Sequence, residues 1–155
     1  MTFLIKGLDP APFLDLYGMP ELDLAKRQIL RVCVDAQPGF PDRIEIRDAE
    51  PGQTVLLLNY EHLPAANPYR SRHAIYVREG ATQAYAGNEV PPSLRSRVIA
   101  LRAFDKDDMM VDADLVDGID IEDLIERMFG RADVLYLHAH YAKRGCFAAR
   151  VERAM

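Results

Sequence analysis

The densest run of chemically capable side chains lies near the C-terminus, where His138-Ala139-His140 is followed within a few residues by Lys143, Arg144, Gly145 and Cys146. Imidazoles at i and i+2 of a strand can share a transition metal if a third ligand arrives from elsewhere. His62, His73, Glu61, Asp112 and Asp114 are the candidates for it. A thiol beside Lys143, Arg144 and His140 makes Cys146 a candidate nucleophile. Arg150, Arg144 and the two imidazoles, joined by Arg70 and Arg72, can instead hold a small anion through charge-assisted hydrogen bonds. That arrangement needs the fewest coincidences. The plain structural reading of the same residues is hydrogen-bonded histidines, a packed cysteine and an arginine paired at the surface. Histidine titrates near neutrality, so in an enzyme His62, His138 or His140 would be the general acid or base and Cys146 the nucleophile.

Other patterns are weaker. Asn59-Tyr60-Glu61-His62, at the end of an apolar strand, brings a carboxylate and an imidazole to a cleft rim. The aspartates from Asp105 to Asp114 lack the glycine and terminal glutamate of a calcium loop and read as a solvated turn. The sequence has no H-E-x-x-H, G-x-S-x-G, Walker phosphate loop, G-x-G-x-x-G or zinc-deaminase pattern. It therefore assigns no metal site and names no cofactor.

Strands must position these groups. Alternation over residues 134–141 places Leu135, Leu137, Ala139 and Tyr141 on one face and Tyr136, His138 and His140 on the other. A connection of Lys143, Arg144 and a left-handed Gly145 pairs Tyr141 with Phe147, Ala139 with Ala149 and Leu137 with Val151, which keeps all apolar residues on one face. His138 then lies across from Arg150, with Glu152 on the same face and Cys146 at its turn end. Residues 62–73 lack apolar periodicity and read as a long loop roofing this surface.

Further strands are expected at 2–8, 29–35, 43–47, 54–61, 74–78, 97–104 and 109–116, and short helices from Asp9-Pro10 to Tyr17 and from Pro20 to about Gln28. Ile121, Leu124, Ile125 and Met128 follow helical spacing, so a helix is expected over 121–129, between Asp120 and Gly130. The expectation is an α+β fold: one domain over residues 1–155, a mixed or mainly antiparallel sheet, a few helices and a C-terminal β-hairpin.

Composition sets the outer limits. A chain of 155 residues with 49% apolar content suits one core, and the net charge of −5 gives no footprint for nucleic acid. No signal peptide or membrane-length apolar run is present, and the two cysteines are too few for a disulfide framework, so the expected location is the cytoplasm. The expected partner is a small anionic molecule. The alternative is a second copy of the chain, contacted through Tyr136, Arg150 and Tyr141.

Leu56-Leu57-Leu58-Asn59-Tyr60-Glu61-His62, Ala74-Ile75-Tyr76-Val77-Arg78-Glu79, Met109-Met110-Val111-Asp112-Ala113-Asp114 and the segment from His138 to Cys146 together resemble a bacterial family, domain of unknown function 1203. The resemblance spans nearly the whole chain. It implies a one-domain bacterial protein and no mechanism.

Overall fold

The alternating strands are resolved into two β-sheets in the computed structural model of the protein, which describes residues 2–155. In chain order the strands are β1 (Phe3–Lys6), β2 (Leu30–Cys33), β3 (Pro41–Asp42), β4 (Arg47–Asp48), β5 (Thr54–Leu63), β6 (Ser71–Arg78), β7 (Ala86–Gly87), β8 (Val98–Phe104), β9 (Met110–Asp117), β10 (Tyr136–Tyr141) and β11 (Phe147–Arg153). One sheet has the order β7-β1-β11-β10-β8-β9 and the other β2-β5-β6-β3-β4. All pairs are antiparallel except β3 with β6, which makes the second sheet mixed. The α+β class and the C-terminal hairpin are as the sequence predicts.

Helix α1 (Glu21–Lys26) and a 3-10 turn (Ala11–Leu16) cover the second sheet, where Phe13, Leu16 and Leu24 join Leu56, Leu58, Ile75 and Val77 in one core cluster. A short helix α2 (Pro92–Arg95) precedes β8, and the 3-10 turn Gly118–Asp120 leads into helix α3 (Ile121–Phe129). The helical spacing of α3 buries Ile121, Leu124, Ile125, Met128 and Phe129 against Leu101, Ala103, Leu137, Ala139 and Val151 of the first sheet. Glu122 and Asp123 in its first turn and Arg127 in its last complement the helix dipole.

Three local expectations change. The strand expected over 43–47 does not form: residues 43–46 turn tightly between β3 and β4, and only Arg47 enters a strand. The carboxylate of Asp42 holds this turn by accepting from Glu45 N at 2.6 Å and from Arg78 N at 2.7 Å. The long loop also shrinks, because β5 continues through His62 and Leu63 and β6 begins at Ser71, leaving only 64–70 as connection. Cross-strand pairing, Tyr60 with His73 and Leu63 with Ser71, satisfies backbone groups whose side chains carry no apolar signal. In the C-terminal hairpin Leu137 pairs with Val151, His138 with Arg150 and Ala139 with Ala149 as expected, but a bulge then sets Phe147 opposite His140 rather than Tyr141. The bulge turns the Phe147 ring to the histidine face and leaves Ala148 in the core.

Candidate functional site

β10 presents His138 and His140 on the face away from α3, and the end of β5 delivers His62 to the same place. The His62 ring centroid is 4.9 Å from that of His140 and 6.0 Å from that of His138, and His62 stacks on Phe147 at 5.4 Å. Phe104, Tyr136 and Phe147 close the cluster. The face expected as a titratable surface is thus an interior, with His138 2% and His140 1% exposed. Burial is the leading cause that lowers the imidazole pKa values, to about 4 for His62, about 2 for His138 and about 3 for His140, and the nearby Arg102 adds to it. Neutral imidazoles locked among aromatic rings are poorly suited to exchange protons with a substrate. Among the described residues no group of three or more His, Cys, Asp or Glu is placed to bind a metal. His62 Nδ1, His138 Nδ1 and His140 Nε2 are buried without hydrogen-bond partners.

His140 Nδ1 lies 3.0 Å from the carbonyl of Gly145, and a carbonyl only accepts, so the proton sits on Nδ1. This bond ties the cluster to the turn bearing Lys143 and Arg144. The remaining candidates bond elsewhere, although Arg150 stands across the strand pair from His138. Arg150 donates to Glu152 Oε1 at 2.8 Å and covers the Tyr136 ring at 3.9 Å. Arg70 is exposed and bonds Glu61 Oε2 at 3.1 Å, while Arg72 donates to Asn59 Oδ1. Glu61 is therefore engaged with Arg70 beside His62. Tyr136 and Tyr141, considered as contact anchors for a second copy, are only 3% and 5% exposed and spend their surface inside the chain.

A different concavity opens on the other side of the Gly145 turn. A cleft of about 690 Å³ is lined by Arg43, Arg97, Lys143 and Arg144, by Tyr141 and Cys146, and by an apolar wall that includes Pro41, Tyr76 and Val98. No aspartate, glutamate or histidine lines it. Of the earlier catalytic and ligand-site candidates only Arg144 and Cys146 are here, joined by Tyr141 from the alternative contact surface. The tight turn after β3 supplies Arg43, which is 1% exposed yet pairs with no carboxylate among the described residues. Its Nε donates to Phe147 O at 2.7 Å, its Nη1 to Pro41 O, and its Nη2 to Cys146 Sγ at 3.0 Å. Arg97, just before β8, is held by Asp48 at 2.6 and 3.0 Å and by Ser93 O at 2.8 Å.

The two guanidinium carbons sit 4.9 and 5.0 Å from the Tyr141 ring centroid. Both contacts fall within cation–π range. Burial raises the Tyr141 pKa, so its hydroxyl stays a protonated donor. Ser93 is its polar neighbour, but Ser93 Oγ donates to Ile46 O at 2.9 Å, and the Tyr141 hydroxyl is buried with no hydrogen-bond partner. Sequence reasoning missed Arg43, Arg97 and Tyr141 as a group. Arg43 was read into a strand, Arg97 as the start of one and Tyr141 as part of an apolar face. No spacing joins positions so far apart in the chain.

No curated protein and no solved structure matches the chain. A family does: residues 39–153 match the one described as a protein of unknown function, DUF1203. The matched span contains Arg43, Tyr76, Arg97, Tyr141 and Cys146 and omits β1 and β2. The chain belongs to the DUF1203 family.

Proposed function

We propose that this protein binds a small organic anion in the cleft lined by Arg43, Arg97, Lys143 and Arg144. The observation that carries the reading is charge: four cationic side chains and no acidic one line a concavity of ligand size. Lys143 and Arg144 are exposed and have no carboxylate partner among the described residues, so they are free to meet an anion at the rim. Arg43, deep in the wall, is a buried cation whose bonds go only to carbonyls and a sulfur. An anion nearby offsets the cost of keeping it charged there. The Tyr141 hydroxyl adds a donor in need of an acceptor, and the Tyr76 and Val98 wall suits an apolar part of the ligand. The cytoplasm, where small organic acids and phosphate esters abound, is the location we assign to this activity.

Thermal unfolding with citrate, inorganic phosphate and benzoate tests the reading. At a concentration about 100 times its dissociation constant, a bound anion stabilises the native state by about 2.7 kcal/mol. That corresponds to a rise in Tm of roughly 5–10 °C for a chain of this size. Lys143→Glu with Arg144→Glu should abolish the shift while leaving the unliganded Tm within a few degrees, because both side chains are exposed. If no anion raises the Tm, or if the charge-reversed variant responds equally, the cleft is not the binding site.

A further inference from the structure

We propose that Cys146 is the covalent acceptor for anionic low-molecular-weight disulfides that enter this cleft, an inference that rests on the anion-binding reading above. Three features of the cleft support it. Cys146 lines the cleft, and Arg43 Nη2 donates to its Sγ at 3.0 Å. Tyr141 lines the same space, and its buried hydroxyl has no hydrogen-bond partner. Lys143 and Arg144 stand at the rim, where a second acidic group of the ligand would reach them.

The lining also selects the reaction. Acyl transfer by a thiol needs a base or acid to move protons at the attacking sulfur and the leaving group, and neither an imidazole nor a carboxylate faces the cleft. Thiol–disulfide exchange requires only a thiolate and an accessible disulfide sulfur. In this step the Cys146 thiolate attacks one sulfur of the bound disulfide. The ligand S–S bond breaks as the new S–S bond to Cys146 forms. The other half departs as a thiolate and takes up the proton that Cys146 released. Cys146 is oxidised, the departing sulfur is reduced, and no further oxidant takes part. Cys33 is exposed on β2 and does not line the cleft, so an external thiol rather than an internal one reverses the adduct.

The test uses the full-length Cys33→Ser protein and follows adduct formation by intact-mass spectrometry with two disulfides, anionic oxidised glutathione and dicationic cystamine. Steering by the cleft charges should make the glutathione adduct form about ten-fold faster or more. Lys143→Glu with Arg144→Glu should reverse that preference. A Cys146 that reacts with neither reagent in the folded protein, or with both at similar rates, overturns the inference. Citrate-dependent stabilisation of Cys146→Ser separates the two proposals. If citrate still binds this variant while Cys146 is inert, only the covalent step falls; if citrate does not bind and the reactivity ignores charge, the anion site falls with it.

Discussion

At the scale of single residues, His62, His138 and His140 set an acid limit on the fold. Their native pKa values, about 4, 2 and 3, lie below the ordinary histidine value of 6.5 because burial penalises the imidazolium. The cations Arg102 and Arg150 face them from neighbouring strands and oppose protonation further. The unfolded chain therefore binds more protons as pH drops below about 6.5, and stability is lost from there down toward the native values. Each fully buried imidazole contributes up to about 1.4 kcal/mol per pH unit in that window. We expect His138→Phe, which suits the surrounding Phe104, Tyr136 and Phe147, to flatten the decline between pH 6.5 and 4.5 in urea unfolding. An unchanged slope relative to the parent would show that His138 is already charged in the native state. The i, i+2 spacing of the pair was legible in the sequence. Its burial was not, because the lid over it, His62 and Phe147, comes from the distant β5 and from a bulge that no periodicity announces.

At the scale of elements, the tight turn 43–46 decides the site. Ile44 and Ile46 alternate as strand residues do, yet Ile44 enters the core beneath the second sheet and Ile46 that of the first. Their apolar character was readable; the turn was not, because it depends on Asp42 bonding across to Arg78. The exit from β1 and the residue before β7 brace it: Leu8 N donates to Arg43 O and Tyr85 N to Ile44 O, both at 2.8 Å. A Cβ at Gly7 would stand 2.0 Å from Ile44 O, so only glycine permits this approach. Gly7→Ala should cost about 1–3 kcal/mol, as overpacking does. It should also displace Arg43, so that citrate stabilises the variant less than the parent in the same thermal assay. An undiminished citrate shift would mean that Arg43 does not depend on this brace. Helix α3, by contrast, was readable to the residue, since its buried positions follow one helical stripe.

At the scale of the whole molecule, a net charge of −5 surrounds a cationic cleft. Anions are repelled by the surface at long range and attracted within the cleft at short range. Salt screens exposed charges over about 10 Å at 0.1 M and about 3 Å at 1 M, and buried ones much less. Citrate affinity measured by calorimetry should therefore weaken several-fold between low and high salt but persist through Arg43. Complete loss at high salt would assign the binding to the rim alone. The sheet edges carry their own charges: Asp112, Asp114 and Asp117 lie on β9, which has no strand beyond it. Charged side chains on an edge strand disfavour pairing with another chain. No helix among the described residues is long and apolar enough to cross a membrane.

The run from His138 to Cys146 specified its own hairpin, the left-handed Gly145 and the two faces of β10, because side-chain alternation and turn chemistry act between near neighbours. It did not specify which face would be sealed and which groups would stay open to a ligand. Tertiary packing decided that, bringing His62 over the imidazoles and Arg43 and Arg97 around Tyr141 and Cys146. The physical reason is that burial and electrostatic convergence depend on distance in space, and Arg43 reaches the Cys146 sulfur across 103 positions of chain.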